Sequence, residues 1–324
     1  MENVINILVM LPIKEERHRE KLKSAYPEAN FIFKERITQE DVKDINIVIG
    51  NIPPKFLKCE NKIKWIQLGS AGADPYLKEG VMPNGAVLTN ATGAFGLAVS
   101  EHMLAGTLLL IKKLNKYILN QKEHLWHDEG EVTSIYNSRT LILGMGDIGS
   151  EYGKKMKALG SYIVGIKKNI ADKPEWVDEL YTIYTMEKLE EELPKADIVA
   201  MSLPSNAETK RIMDYKRFSL MKKSAILINA GRGDAVATDD LVKALNEGLI
   251  FGAFLDVTDP EPLPAGHPLW DAKNAVITPH ISGWFHLKDI LEKIIDISVE
   301  NLKRFKQGGE LINIVDPKTG YRKS

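Results

Sequence analysis

The stretch Thr140-Leu141-Ile142-Leu143-Gly144-Met145-Gly146-Asp147-Ile148-Gly149 decides the fold. A short apolar run leads into three glycines spaced G-x-G-x-x-G, and Ser150 to Leu159 then reads as a helix that stops at Gly160. In a strand, turn and helix of this kind Gly144 permits the tight turn, Gly146 lets the backbone approach a pyrophosphate, and Gly149 allows close packing of helix on strand. The phosphate then sits at a positive helix N-terminus. A glycine-rich turn alone is weak evidence. The strand-like run Tyr162 to Ile166 that follows makes it a dinucleotide site.

Five further runs continue that rhythm downstream: Leu141 to Leu143 is followed by Tyr162 to Ile166, Ile198 to Met201, Ala225 to Asn229, Ala253 to Leu255 and Ala275 to Thr278. Upstream, Asn6 to Leu11, Asn30 to Phe33, Ile45 to Ile49, Trp65 to Leu68 and Val87 to Asn90 form a separate series with helix-length intervals. Strands in this spacing predict parallel sheets with helices on both faces. Phe95 to Leu119 reads as one unbroken helix and Leu287 to Phe305 as another. The fold class expected is α/β, with two doubly wound parallel-sheet domains and a cleft between them. Residues 95–285 form the dinucleotide-binding domain, and residues 1–94 with 286–324 form a discontinuous second one.

With 43 basic and 44 acidic residues in 324, the net charge of −1 provides no global field for nucleic acid or an anionic membrane. The run Leu97 to Leu114 carries Glu101, His102 and two lysines, too polar for a membrane span. One cysteine, Cys59, excludes an intramolecular disulfide framework and fits a reducing compartment, and nothing beside it activates a thiol. The N-terminus reads as a first strand without a leader cleavage site, so a cytoplasmic location is expected. The acidic run Glu187 to Glu192 reads as a solvated helix face, and no metal-ligand set is assigned.

Cofactor choice is read at the end of the strand after the fingerprint. An NAD site usually places Asp or Glu there for the ribose 2′-hydroxyl, whereas this chain has Lys167 and Lys168. Two ammonium groups attract a 2′-phosphate, so NADP(H) is preferred, with NAD(H) possible. Chemistry is read at three later strand ends. Arg232 offers a planar fork for a substrate carboxylate and can polarise the adjacent keto oxygen. His280 can donate a proton to a carbonyl oxygen, and Glu261 beside it would favour the charged imidazolium. Sequence does not show that Glu261 touches His280; Pro260 and Pro262 suggest only a rigid turn.

On these residues the chain resembles the D-isomer-specific 2-hydroxyacid dehydrogenases, especially their glyoxylate/hydroxypyruvate reductase-like branch. The resemblance spans nearly the whole chain: Trp65 to Asp74, Ser100-Glu101-His102, the fingerprint, Leu203-Pro204 with Thr209, Ile228 to Gly233, Leu255 to Val257, Asp259 to Leu263 and Thr278 to Gly283. It implies that Arg232 binds substrate, that Glu261 pairs with the histidine, and that His280 is the general acid/base. It implies that Ala71 and Gly72 hold the substrate carboxylate through backbone amides, in a substrate domain completed by the C-terminal helix. Asp147 and Ile148 would contact the pyrophosphate, Leu203, Pro204 and Thr209 would run along the cofactor, and Ala230 and Gly231 would lie near the nicotinamide. Asp256 would orient the carboxamide. A homodimer through the long helix is implied as well.

The chain departs from the family pattern at Ser202 and Ala237, neither of which touches the three catalytic roles; Ser202 is expected to loosen the packing at the cofactor. Phe95, Trp284 and Phe285 either narrow the pocket to a small keto acid, line it for an aromatic side chain, or pack a core. Trp126 is read either as a pocket wall lent across a dimer or as core. The activity expected is NAD(P)H-dependent reduction of a small 2-keto acid to its D-2-hydroxy acid. The alternative is a nicotinamide-sensing corepressor without turnover, disfavoured because the chain ends in a short basic tail, Lys318 to Ser324. A formate-oxidising member is disfavoured by the presence of Glu261.

Overall fold

The computed structural model describes residues 4–58, 61–168, 173–182 and 186–317, so Cys59 and the basic tail lie outside the described residues. In chain order the elements are β1 (Asn6–Val9), α1 (Glu16–Ala25), β2 (Asn30–Phe33), β3 (Ile47–Ile49), β4 (Trp65–Gln67), β5 (Val87–Thr89), α2 (Gly96–Ile111), α3 (Leu114–Lys122), β6 (Arg139–Leu143) and α4 (Asp147–Ala158). They continue with β7 (Tyr162–Lys167), β8 (Glu179–Thr182), α5 (Met186–Glu192), β9 (Ile198–Met201), α6 (Tyr215–Leu220), β10 (Ile226–Asn229), α7 (Thr238–Glu247), β11 (Gly252–Leu255), β12 (Ala275–Ile277) and α8 (Lys288–Lys306). The chain divides into two compact units, Met1–Phe95 with Phe285–Ser324, and Gly96–Trp284.

The first unit holds a parallel sheet ordered β2-β1-β3-β4-β5. Ile47, Val48 and Ile49 are all buried, as expected where helices cover a parallel sheet and apolar runs replace alternation. The helix α8 joins this unit through polar contacts as well as apolar ones. The Asn301 side chain is fully buried; its Nδ2 donates to Gln67 Oε1 at 2.8 Å, and its Oδ1 accepts from Ile312 N at 2.8 Å. Phe305 stacks on Trp65 with ring centroids 5.5 Å apart, and His18 of α1 meets Glu292 of α8 at 2.8 Å.

The second unit is a parallel sheet ordered β12-β11-β10-β9-β6-β7-β8, with Leu141, Val164, Val199, Leu227 and Ala253 in its core. Strand order reverses between β6 and β9, and open α/β sheets bind ligands at the carboxyl ends beside such a switch point.

Three sequence expectations are corrected. The helix expected over Phe95 to Leu119 is two helices, because Lys113 takes a left-handed φ of 56° between α2 and α3. The side chains of Lys112 and Lys113 donate to the carbonyls of Thr133 and Glu129, so tertiary contacts there outweigh an uninterrupted helical pattern. The sheet also has a seventh strand, β8, whose half-buried Glu-Leu-Tyr-Thr carries little periodicity and is specified by pairing with β7. Finally, the acidic run is not wholly solvated. Glu192 is 1 % exposed and lies 2.7 Å from Arg139 and 2.8 Å from Lys195. Burial pushes its carboxyl up, but the two cations outweigh that and hold it below the ordinary range. Tyr181 and Arg139 similarly hold Glu179 at about 2.

Candidate active site

Because every strand of the second sheet runs the same way, all its carboxyl ends lie on one edge. Along that edge, from β7 through β6, β9, β10 and β11 to β12, the following loops begin with Lys167-Lys168, the fingerprint, Leu203-Pro204, Ala230-Gly231-Arg232, Asp256 and His280. Residues scattered over more than 130 positions of sequence thus form one line.

The fingerprint glycines are required by space. Gly144 has φ of 95°, and a Cβ there would lie 2.8 Å from Ser202 O; a Cβ on Gly149 would lie 1.9 Å from Gly144 O. A Cβ on Gly146 would meet nothing within 4 Å, so the backbone there borders open space at the start of α4, which has no side-chain cap. First-turn amides facing open space suit a phosphate. This is the fit expected for a dinucleotide. The Asp147 side chain ties α4 to α2: its Oδ2 accepts from Gly96 N at 2.9 Å. Ile148 is half-buried in the first turn of α4.

Ser202 is tighter than its departure from the family pattern suggested. Its Oγ donates to Gly144 O at 2.7 Å and bridges β9 to the glycine turn. Leu203 is buried, Thr209 Oγ1 donates to Pro204 O at 2.6 Å, and Asn206 Oδ1 accepts from Glu208 N and Thr209 N, fixing the loop that follows. Lys167 closes β7, and Lys168, just beyond it, lies 3.1 Å from Glu208.

Arg232 stands on a loop shaped by Asn229, whose Oδ1 accepts from Gly231 N at 3.1 Å and whose Nδ2 donates to Arg232 O at 3.1 Å. Arg232 Nη1 donates to Gly231 O at 2.9 Å. A Cβ on Gly233 would lie 2.0 Å from Thr258 O, so only glycine lets the arginine loop lie against the loop that carries Glu261. Thr238 Oγ1 adds a bond to Asp259 O at 2.6 Å. Across the β12 end, His280 Nδ1 lies 2.5 Å from Glu261 Oε1, with the two side chains 46 % and 41 % exposed. The pair that sequence could only suggest is therefore formed.

Asp256 is the group whose surroundings sequence reasoning missed. It is 1 % exposed. Its Oδ1 accepts from Thr278 Oγ1 at 2.6 Å and Ile281 N at 3.0 Å, while its Oδ2 accepts from Ser282 N at 3.1 Å and from Ser282 Oγ. His102 of α2 bonds Thr278 Oγ1 at 3.0 Å, extending the network into the helix. These bonds hold His280 at a φ of 53°, a conformation that a non-glycine residue keeps only when its surroundings impose it. Both oxygens of this carboxylate thus accept from the histidine loop. An Asp one residue past β11 was its local sequence signal.

Among the substrate candidates, Ala71 and Gly72 follow β4 in the first unit, where their carbonyls accept from Asn90 Nδ2 and Ser70 Oγ, each at 2.8 Å. Phe95 is buried at the end of that unit, and Trp284 is exposed at the end of the other. Trp126 is fully exposed, which excludes the core reading. Among the described residues no group of three His, Cys, Asp or Glu could hold a metal ion, and no helix is long and apolar enough to cross a membrane.

Comparison with known proteins yields a consistent set. Residues 104–282 match the family model described as D-isomer specific 2-hydroxyacid dehydrogenase, NAD binding domain. A glyoxylate/hydroxypyruvate reductase A from Photorhabdus laumondii is 28 % identical over 278 residues, covering 83 % of this chain and 85 % of the relative. The crystal structure of a D-isomer specific 2-hydroxyacid dehydrogenase family protein from Aeromonas salmonicida superposes with a TM-score of 0.83 at 30 % identity, covering 97 % and 99 % of the two chains. One from Xanthobacter autotrophicus, solved with NADPH and MES, superposes with a TM-score of 0.80 at 25 % identity, covering 98 % and 100 %.

Proposed function

The chain belongs to the D-isomer specific 2-hydroxyacid dehydrogenase family and is an NAD(P)-dependent oxidoreductase, and from that premise we propose that it reduces a small 2-keto acid of the glyoxylate or hydroxypyruvate type to the D-2-hydroxy acid. The observation that carries the reading is the His280–Glu261 pair at 2.5 Å, on the sheet edge that also bears the glycine fingerprint. When bound, the reduced nicotinamide supplies the hydride that reaches C2 of the substrate.

The rest falls to the chain's own groups. The Arg232 fork holds the substrate carboxylate, assisted by the amides of the Ala71-Gly72 loop. The protonated His280 gives its Nε2 proton to the carbonyl oxygen, and Glu261 on Nδ1 orients the ring and favours its charged form. In the reverse direction the neutral ring takes the hydroxyl proton. Gly146, Asp147 and Ile148 supply backbone to the pyrophosphate, Leu203, Pro204 and Thr209 flank the cofactor, and Ala230 and Gly231 border the nicotinamide. Asp256 holds the histidine loop and, in this reading, orients the cofactor carboxamide. Lys167 and Lys168 receive a 2′-phosphate, so NADP(H) is the preferred cofactor. Support for that choice is two ammonium groups at a strand end where a carboxylate would repel the phosphate.

The working form in this reading is a cytoplasmic homodimer. What supports the dimer is the apolar surface of α3 and its following loop, where Leu114, Ile118, Leu119, Leu125 and Trp126 are all exposed. The experiment is to follow nicotinamide absorbance with NADPH and NADH against glyoxylate, hydroxypyruvate, pyruvate and phenylpyruvate. Turnover with the two small acids is expected, and His280→Ala should lower kcat by about a thousandfold. Unchanged activity in that variant overturns the mechanism, and tight cofactor binding without turnover of any 2-keto acid overturns the enzyme reading of this site.

A further inference from the structure

We propose that Glu208 is a specificity-determining residue, which tempers the preference for a 2′-phosphorylated cofactor by competing with that phosphate for Lys168; this rests on the NADP(H) reading above. Lys168 Nζ and Glu208 Oε2 lie 3.1 Å apart although the residues are 40 positions apart in sequence. Lys168 follows β7 and Glu208 stands on the loop after β9, and these strands are the two neighbours of β6. The ion pair therefore joins the loops flanking the strand end from which the Gly144–Gly149 turn springs. That is the side of the site where a ribose 2′ substituent meets the residues after the second strand.

Charge and geometry give the competition its direction. A 2′-phosphate carries close to two negative charges at neutral pH, and Lys167 with Lys168 offers two positive ones. Glu208 neutralises one of these and stands close enough to repel the phosphate itself. Its backbone is fixed: its amide donates to Asn206 Oδ1 at 2.9 Å, and the neighbouring Thr209 is bonded to Asn206 and Pro204. The pair is half-exposed, with side chains 44 % and 52 % accessible, so it holds Lys168 weakly and yields to a phosphate. A ligand with only a 2′-hydroxyl does not need Lys168 and is indifferent to the carboxylate.

The test uses binding as well as turnover. Purified protein is titrated with 2′,5′-ADP and 5′-ADP by calorimetry, and with NADPH and NADH by fluorescence, in wild type, Glu208→Gln and Lys168→Ala. Glu208→Gln is expected to tighten 2′,5′-ADP and NADPH by about fivefold, to leave 5′-ADP and NADH within about twofold, and to lose most of the gain at high salt. Lys168→Ala should weaken only the 2′-phosphorylated ligands. If Lys168→Ala weakens them but Glu208→Gln leaves the selectivity unchanged or lowers it, the role of Glu208 is overturned and the NADP(H) reading survives. If replacing both Lys167 and Lys168 by Ala leaves the selectivity unchanged, the NADP(H) reading itself fails.

Discussion

Asp256 and Glu261 are two carboxylates five positions apart on one loop, and they have opposite surroundings. Asp256 is almost wholly buried and accepts four hydrogen bonds from the histidine loop. Glu261 is 41 % exposed and meets His280 Nδ1. Burying a polar side chain as fully as Asp256 is costly without compensation, and these four donors supply it. It is a positioning residue, fixing the backbone on which His280 stands. The exposed Glu261 contributes little to folding, since a contact between two solvated side chains is weak. Its value lies in what it does to the ring during proton transfer.

That contrast can be broken in two ways. The largest effect is expected from Asp256→Asn, which puts an amide donor where both oxygens now face donors. Unfolding should become easier by about 3 kcal/mol, as for a buried charged partner removed from its network, and kcat should fall with it. A variant of wild-type stability and activity would show that the loop holds itself. Glu261→Gln should come next, lowering kcat by about tenfold or more with little change in KM, because the bond to the ring keeps its shape and loses its charge. Its thermal midpoint should match wild type; a large drop would mean that Glu261 is structural after all.

The smallest effect concerns the other end of the sheet, where Arg139 joins Glu179 and buried Glu192. Glu179 is held at about 2, below its ordinary 4.5. A depressed carboxyl contributes stability above its unfolded value and loses it as pH falls toward the folded one. Denaturant melts should therefore show a loss between about pH 4.5 and 2 that is reduced in Arg139→Ala. An identical acid profile in the two proteins would separate this network from acid stability.

Much of the site was legible because the residues concerned carry local signals. Three glycines at fixed spacing, an arginine between two glycines, and a histidine after a Thr-Pro each mark a strand end by themselves. The break at Lys113 was hidden because its cause is a pair of bonds to a loop 16 to 21 residues away. β8 was hidden because four half-buried residues at an edge lack a pattern until β7 pairs with them. Ser202 appeared only as a departure, and its bond to Gly144 O depends on which strand lies beside β6.

The sequence by itself determined the fold class, the dinucleotide turn and the identity of the three chemical groups, because hydrophobic runs, glycine spacing and side-chain functional groups are properties of the chain at short range. Tertiary structure alone decided that Glu261 meets His280, that Asp256 is bonded to the histidine loop, and that Glu208 stands on Lys168. Each of those contacts joins segments on different strands, 19 to 40 residues apart. Which distant loops become neighbours is set by the order in which strands pair, and strand order is not written in any one stretch of sequence.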